Sequence, residues 1–272
     1  MECLESIENC TSYMLHFMEF LNGGSLQWHL KNKGFTEKEV VFYSAQILCA
    51  ILFLHGKKIV HRDIKLTNVL MDSSGNAKLC DFGLCKIMNS TTHTMGGTEE
   101  FRSPESFIPG YLNYSLDFWS FGVCIFYMLT NELPFANEEI IKNDSMMPDL
   151  NETRNKYRTK TLNKMSALFH YHNSTNCDVI SEIASNFVSR LLNKNLNERL
   201  GNKENNEYLK SDEFFTSIEW DLLENGQLKP PIKPKLVILI FYKCILYNNE
   251  MFIFYYFLLI KLEIISRRFS FR

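Results

Sequence analysis

The sequence predicts an α+β domain, mainly helical with a small β element, and three observations carry that prediction. A capping box at Thr36 and Glu39 opens a long run of helical periodicity. Residues 115–130, SLDFWSFGVCIFYMLT, are apolar nearly all round, the pattern of a helix inside a core. Short apolar runs at 13–20, 68–72 and 77–81 adjoin turn residues, the pattern of strands. At 272 residues, 46% hydrophobic and 22% charged, the chain is too apolar for a disordered tail and too charged for a polytopic membrane protein. A formal net charge of −2 gives no broad basic face, so nucleic acid is not an expected partner.

In chain order, YMLHFMEF (13–20) is short, apolar and aromatic, a buried strand that NGG (22–24) ends as a turn, with a helix expected after it. Beyond the capping box, Val40, Tyr43, Ile47, Ile51 and Leu54 recur at helical spacing and define a long, mostly buried helix. NVLMD (68–72) and AKLCD (77–81), separated by SSGN, fit a hairpin. The 115–130 helix should be the hub of the domain. Residues 142–177, rich in Asn, Lys, Ser and Thr without sustained period, are expected as a long surface insertion. Periodicity resumes at 179–195. Phe17, Phe20, Phe53 and Phe126 are expected in the core, and His170 and His172 as loop residues, since no acid or cysteine completes a metal site beside them.

The tail from Leu236 changes character. Its longest uncharged apolar run is ten residues, 251–260, against the roughly 20 that span a bilayer, so a membrane-spanning helix is not expected. A docked strand or helix, or residues from an incorrect reading of the gene, fit better. Eight cysteines include no CxxC pair and no zinc spacing, and are expected reduced and mostly buried. The N-terminus carries Glu2, Glu5 and Glu8 where an export signal would be basic and then apolar, so a cytoplasmic location is expected.

Chemistry concentrates in IVHRDIKLTNVL (59–70), which places Asp63, Lys65 and Asn68 within six residues, followed by DFG at Asp81, Phe82 and Gly83. Phosphoryl transfer from ATP needs an acceptor for the substrate hydroxyl proton, oxygen ligands for Mg2+, and cations near the transferring phosphate. These residues supply all of that except one cation. HRDxxxxN, then DFG, then Pro104 and Glu105 form the protein-kinase signature set, with Ile64 where Leu is usual.

Over about residues 10–235 the chain resembles the catalytic domain of the protein kinase C family, within the AGC group of serine/threonine kinases. MEFLNGGSL is similar to the hinge, LHGKKIVHRDIKLTNVL to the catalytic loop, TTHTMGGTEEFRSPE to the activation segment, and EFFTSIEWDLLENGQLKPPIKPK (213–235) to the end of the large lobe. The resemblance implies a protein kinase-like fold: a remnant of the small β lobe and hinge strand at 1–20, the helical C-terminal lobe at 21–235, and an apolar tail at 236–272 of unassigned status. It implies ATP and Mg2+ as cofactors and protein substrates with Ser or Thr acceptors. Asp63 would be the catalytic base, Lys65 would neutralise the transferring phosphate, and Thr98 would hydrogen-bond both. Asn68 and Asp81 would hold Mg2+, while Glu19, Leu21 and Leu70 would line the adenine site. Thr94 sits where the family carries an activating phosphothreonine, which would pair with Arg62 after the action of an upstream kinase. Glu105 and Arg199 match a buried ion pair, and Asp117 the acid that props the catalytic loop from below.

The sequence departs from that pattern in ways that bear on activity. It contains no GxGxxG, and its first lysine is Lys31, beyond the hinge, whereas kinases hold the ATP phosphates under a glycine-rich loop and with a lysine on the third strand. Losing one preorganised stabiliser of developing charge costs on the order of 10²- to 10³-fold in rate. Two readings follow: a truncated kinase with weak or no activity alone, or a kinase-derived binding or regulatory module. Glu99 replaces the proline usual after GT, and Ser103 the alanine before PE. Ser25, Thr67 and Tyr127 stand where the family has acids that read basic residues near the acceptor. Phe269, Ser270 and Phe271 faintly echo the aromatic ending of the family's C-terminal extension.

Overall fold

The computed structural model describes residues 3–7, 15–88, 96–108, 110–134, 180–202, 206–235, 245–247 and 250–252. Thr94, His170, His172 and the 142–177 segment lie outside the described residues. Strands β1 (Cys3–Ile7) and β2 (Leu15–Met18) pair antiparallel. The NGG turn then delivers the chain to α1 (Leu26–Lys33), the helix expected after it, and the Ser25 hydroxyl accepts from the Trp28 N–H at 3.2 Å, an N-cap. At the far end Gly34 takes φ 71° and ψ −177°, an extended positive-φ conformation open essentially to glycine alone, which ends the helix, and its N–H reaches the Leu30 carbonyl.

The capping box predicted at Thr36 and Glu39 is present on both sides: Glu39 N–H donates to the Thr36 hydroxyl, and Thr36 N–H to the Glu39 carboxylate at 2.8 Å. It opens α2 (Glu37–Gly56), which buries Val40, Tyr43, Ile47, Ile51 and Leu54. Among the described residues α2 is the one helix long and apolar enough to cross a membrane, and two thirds of its apolar window is buried inside the domain, as for a core helix. Phe53 corrects the expectation of a core aromatic, because it is 67% exposed. It stands two residues past Ile51, about 200° round the helix, opposite the buried stripe. Phe20 is likewise 56% exposed, whereas Phe126 is fully buried. The Phe17 side chain lies outside the described residues.

After α2, strand β3 (Ile59–Val60) leads into the 61–68 loop, and the predicted hairpin follows as β4 (Val69–Met71) and β5 (Ala77–Leu79). The Asp72 carboxylate shapes its turn by accepting from the N–H groups of Ser74, Gly75 and Asn76. Strand β6 (Lys86–Ile87) returns to pair antiparallel with β3.

Helix α3 (Ser115–Thr130) is the hub its composition predicts: every residue but Leu129 is buried, and it packs against both α2 and α4 (Glu182–Leu191). The crossing with α4 is close because Gly122 has no side chain; a Cβ there would stand 2.9 Å from Leu191. Ser181 caps α4 and binds the Glu37 carboxylate through its N–H and hydroxyl, which ties the starts of α2 and α4 together. The 206–235 segment closes the core, with Phe187 stacked on Phe214 at 4.7 Å and Phe215 against Trp220 beside α5 (Trp220–Glu224). In the tail, β7 (Ile245–Tyr247) and β8 (Glu250–Phe252) pair antiparallel.

The thiols Cys49, Cys80, Cys85 and Cys124 are free. Of these four Cys124 is buried and the other three are half-buried, while the side chains of Cys3, Cys10, Cys177 and Cys244 lie outside the described residues. Burial still pushes Cys49 and Cys80 up to about 11 and Cys85 to about 12, so they stand as thiols at neutral pH.

Glu105 and Arg199 form a buried ion pair, bidentate through Nη1 and Nη2, with Arg199 over the Trp119 ring at 4.8 Å and its Nε donating to the Asn193 carbonyl at 2.7 Å. Next to this pair Ser103 is 1% exposed, and its hydroxyl is a buried polar atom without a hydrogen-bond partner. Leaving such a group unsatisfied costs about 1–3 kcal/mol. Ser103→Ala should therefore raise the urea midpoint, gaining about 1 kcal/mol of stability; a lower midpoint would show that the hydroxyl is satisfied in solution.

Candidate active site

The 61–68 loop is fixed from beneath by one carboxylate. Asp117, in the first turn of α3, is fully buried and accepts the His61 N–H and the Arg62 N–H, each at 2.8 Å, through its two oxygens. Its Oδ2 also accepts from His55 Nε2 at 2.8 Å, a contact from the last turn of α2. Arg62 takes φ 67°, a left-handed conformation that costs a non-glycine residue roughly 1–3 kcal/mol, and its bond to Asp117 holds it there. The turn at Arg62 sends the His61 and Asp63 side chains in different directions. His61, wholly buried, donates through Nε2 to the Cys80 carbonyl at 3.2 Å, which leaves Nδ1 to accept the Asp63 N–H at 3.3 Å.

Asp63 is the centre of a convergent cluster. Its Oδ1 accepts from the Thr98 N–H at 2.9 Å and from the Thr98 hydroxyl at 2.7 Å. Its Oδ2 accepts from Asn68 Nδ2 at 3.0 Å and lies 2.8 Å from Lys65 Nζ. Lys65 in turn donates to the Thr98 hydroxyl at 2.7 Å, and Asn68 Nδ2 also reaches the Asp63 carbonyl. Burial by itself would raise the Asp63 pKa, but the Lys65 and Thr98 hydrogen bonds outweigh it and hold the carboxyl below its ordinary range. At neutral pH this is a fixed carboxylate with an ammonium beside it. Thr98 reaches it because Gly97, at φ 96°, packs on the turn: a Cβ on Gly97 would stand 2.4 Å from the Arg62 carbonyl.

Asn68 spends its amide N–H bonds on Asp63, so its Oδ1 is the atom able to ligate a cation. Asp81 follows β5 with φ 64°, a conformation that Asp tolerates better than most residues, and its Oδ1 accepts from the Gly83 N–H at 3.4 Å. Cys80 ties the two segments together, its N–H donating to the Asn68 carbonyl at 2.8 Å. An amide oxygen and an exposed carboxylate are hard oxygen donors, a set that suits Mg2+.

The hinge residues dock on β4. Gly23 N–H donates to the Met71 carbonyl at 3.0 Å and Met71 N–H to the Gly24 carbonyl at 2.8 Å, which pairs Ser25 with Leu70. His29 Nε2 donates to the Gly23 carbonyl at 2.8 Å, and burial lowers its pKa, so it holds the turn as a neutral donor. Leu21 and Leu70 are half-buried on either side of this junction. Glu19 is exposed and its carboxylate binds Lys78 Nζ of β5 at 2.7 Å, a surface pair. The Arg62 side chain donates through Nε to the Leu84 carbonyl at 2.7 Å, and its guanidinium lies against Gly96. Its expected partner Thr94 lies outside the described residues.

Two supports were not legible in the sequence. His55 sits at the end of a helical stripe with nothing to mark it as the partner of an acid 62 residues on. His29 likewise has no local signal; only a structure shows the Gly23 carbonyl above it.

A family model described as "Protein kinase domain" matches residues 1–214. The chain is 37% identical over 225 residues to the Serine/threonine-protein kinase SCH9 of Candida albicans, which covers 80% of this chain and 26% of that protein. It is 35% identical over 228 residues to the human Protein kinase C delta type, covering 82% and 30% respectively. It is 35% identical over 239 residues to the Protein kinase C zeta type of Oryctolagus cuniculus, covering 86% and 38%. The chain thus spans between about a quarter and two fifths of the length of these relatives.

Removing the Asp117 carboxylate strands two buried N–H groups and a buried imidazole. Asp117→Ala should cost at least about 3 kcal/mol in urea unfolding, the scale for breaking a buried charged network. A loss below about 1 kcal/mol would mean the loop is held by something else.

Proposed function

This chain belongs to the protein kinase domain family, and we propose that it carries the large-lobe half of an ATP-dependent serine/threonine protein kinase site of protein kinase C-like type. The observation that carries the reading is the Asp63, Lys65, Thr98 and Asn68 cluster: a low-pKa carboxylate, an ammonium and an amide oxygen, all presented by one anchored loop and the segment that closes on it. Asp63 orients the acceptor hydroxyl and takes its proton. A carboxylate of depressed pKa is a weak base, which suits a loose transition state where positioning matters more than early deprotonation. Lys65 places positive charge beside the transferred phosphoryl group, and Thr98 locks Asp63 and Lys65 in register. Asn68 and Asp81 would hold Mg2+, which when bound neutralises phosphate charge. Glu19, Leu21 and Leu70 flank the place where the hinge meets β4, and would border the adenine.

Substrate choice follows from side chains that are not acids. Ser25 is occupied as the α1 cap, Thr67 is exposed in the catalytic loop, and Tyr127 is buried in α3. None offers a carboxylate to a basic residue near the acceptor, so selection for arginine should be weak. An upstream kinase acting on Thr94 would give Arg62 an anionic partner, and the expected compartment is cytoplasmic.

The replacement of the family's acids by Ser25, Thr67 and Tyr127 favours a second reading, a binding or regulatory module of the same fold. Under the kinase reading, ATP with Mg2+ raises the melting temperature of the chain, Asn68→Ala and Asp81→Ala each remove the Mg2+ dependence, and weak transfer of labelled γ-phosphate to a mixed Ser/Thr peptide pool falls to background in Asp63→Asn. A native mass near 31.9 kDa together with no Mg2+-dependent shift and no transfer would rule out the kinase reading and leave the module.

A further inference from the structure

The end of α2 and the β3–β6 pair carry a surface that the phosphoryl-transfer reading does not use. Phe53 on α2 is 67% exposed and Ile87 on β6 is 63% exposed, the two most exposed large hydrophobic side chains among the described residues. The backbone joins them in a short path. Lys57 N–H donates to the Phe53 carbonyl at 3.2 Å, and Met88 N–H, next to Ile87, donates to the Lys58 carbonyl at 2.7 Å. Ile59 and Ile87 then face each other across the β3–β6 pair. Lys57 Nζ lies 5.9 Å from the Phe53 ring centroid, so the ammonium and the ring form one amphipathic unit.

The charge on this face has one sign. Residues 53–60 contain the exposed Lys57 and Lys58 and no Asp or Glu, in a chain whose net charge is −2; Lys86, next to Ile87 in β6, lies on the other side of the strand pair, across from the buried Val60. We propose that this face docks an acidic segment of a partner protein, with one large apolar side chain of the segment on Phe53 and Ile87 and its carboxylates on Lys57 and Lys58. Charge complementarity selects that occupant. A second copy of the chain would bring the same basic face to itself, and like charges across a two-fold contact repel. The chain's own terminus carries Arg267, Arg268 and Arg272, the wrong sign. A bilayer is the poorer match, since lipid-reading clusters carry roughly four to eight basic residues and one weak signal does not anchor. The inference is independent of whether the chain transfers phosphate.

A random dodecapeptide library panned on the full chain tests it, with a Phe53→Ser/Lys57→Glu/Lys58→Glu variant panned in parallel. All three side chains are exposed, so the variant should melt with the wild type. Wild type should enrich peptides with Asp or Glu on both sides of a Leu or Phe, and the variant should not. The selected peptide, followed by fluorescence anisotropy, should bind the variant at least tenfold more weakly and lose affinity with added salt. Equal enrichment by the variant, enrichment of basic peptides, or no enrichment would overturn the proposal. So would variant-sensitive sedimentation with phosphatidylserine vesicles in the absence of peptide selection, which would assign the face to a membrane.

Discussion

A single buried carboxylate organises the site. Asp117 is anchored in the most buried helix of the domain and is itself wholly sequestered from water, so its charge must be met by hydrogen bonds. The donors that meet it are two successive backbone N–H groups of the catalytic loop and the imidazole at the end of α2. Because the acceptor cannot move without cost to α3, the loop turns at Arg62 and the strained backbone there persists. Everything that bears chemistry is measured from that turn: Asp63 one residue on, Lys65 three, Asn68 six.

The second tier of constraint is reciprocal. Asp63 is satisfied on both oxygens, by Thr98 on one side and by Asn68 and Lys65 on the other. Thr98 comes from the segment after residue 95 and reaches Asp63 only because Gly97 allows its backbone against the Arg62 carbonyl. The buried Glu105–Arg199 pair secures the same segment a few residues later, against the core formed by α3 and the 193–199 turn. A loop held from below and a segment held from behind therefore meet at one carboxylate. Such preorganisation is what charge stabilisation in phosphoryl transfer requires.

Much of this was legible in the sequence where the signal is local. The capping box at Thr36 and Glu39, the all-round apolar α3, and the SSGN hairpin each depend on residues within a few positions of one another, and each forms as read. Asp63, Lys65 and Asn68 are close in the chain and close in space for the same reason. Phe53 failed because a continuous apolar run hides which residues leave the buried stripe: the run from Val40 to Leu54 is apolar enough that period alone does not separate Ile51 from Phe53. His55 and His29 were missed because their partners are remote in sequence or are backbone carbonyls, which have no residue identity to recognise. The hydroxyl of Ser103 shows the converse, a departure noted in the sequence whose cost appears only when burial is known.

The most direct measurement of the central claim is native-state hydrogen exchange at the His61 and Arg62 amides. If the Asp117 carboxylate pins the catalytic loop, these two N–H groups exchange only by global unfolding, with the same free energy and urea dependence as the amides in the middle of α3. Exchange of either amide through a local opening insensitive to urea would contradict the account, because it would mean the loop that carries Asp63 is not held by the core beneath it.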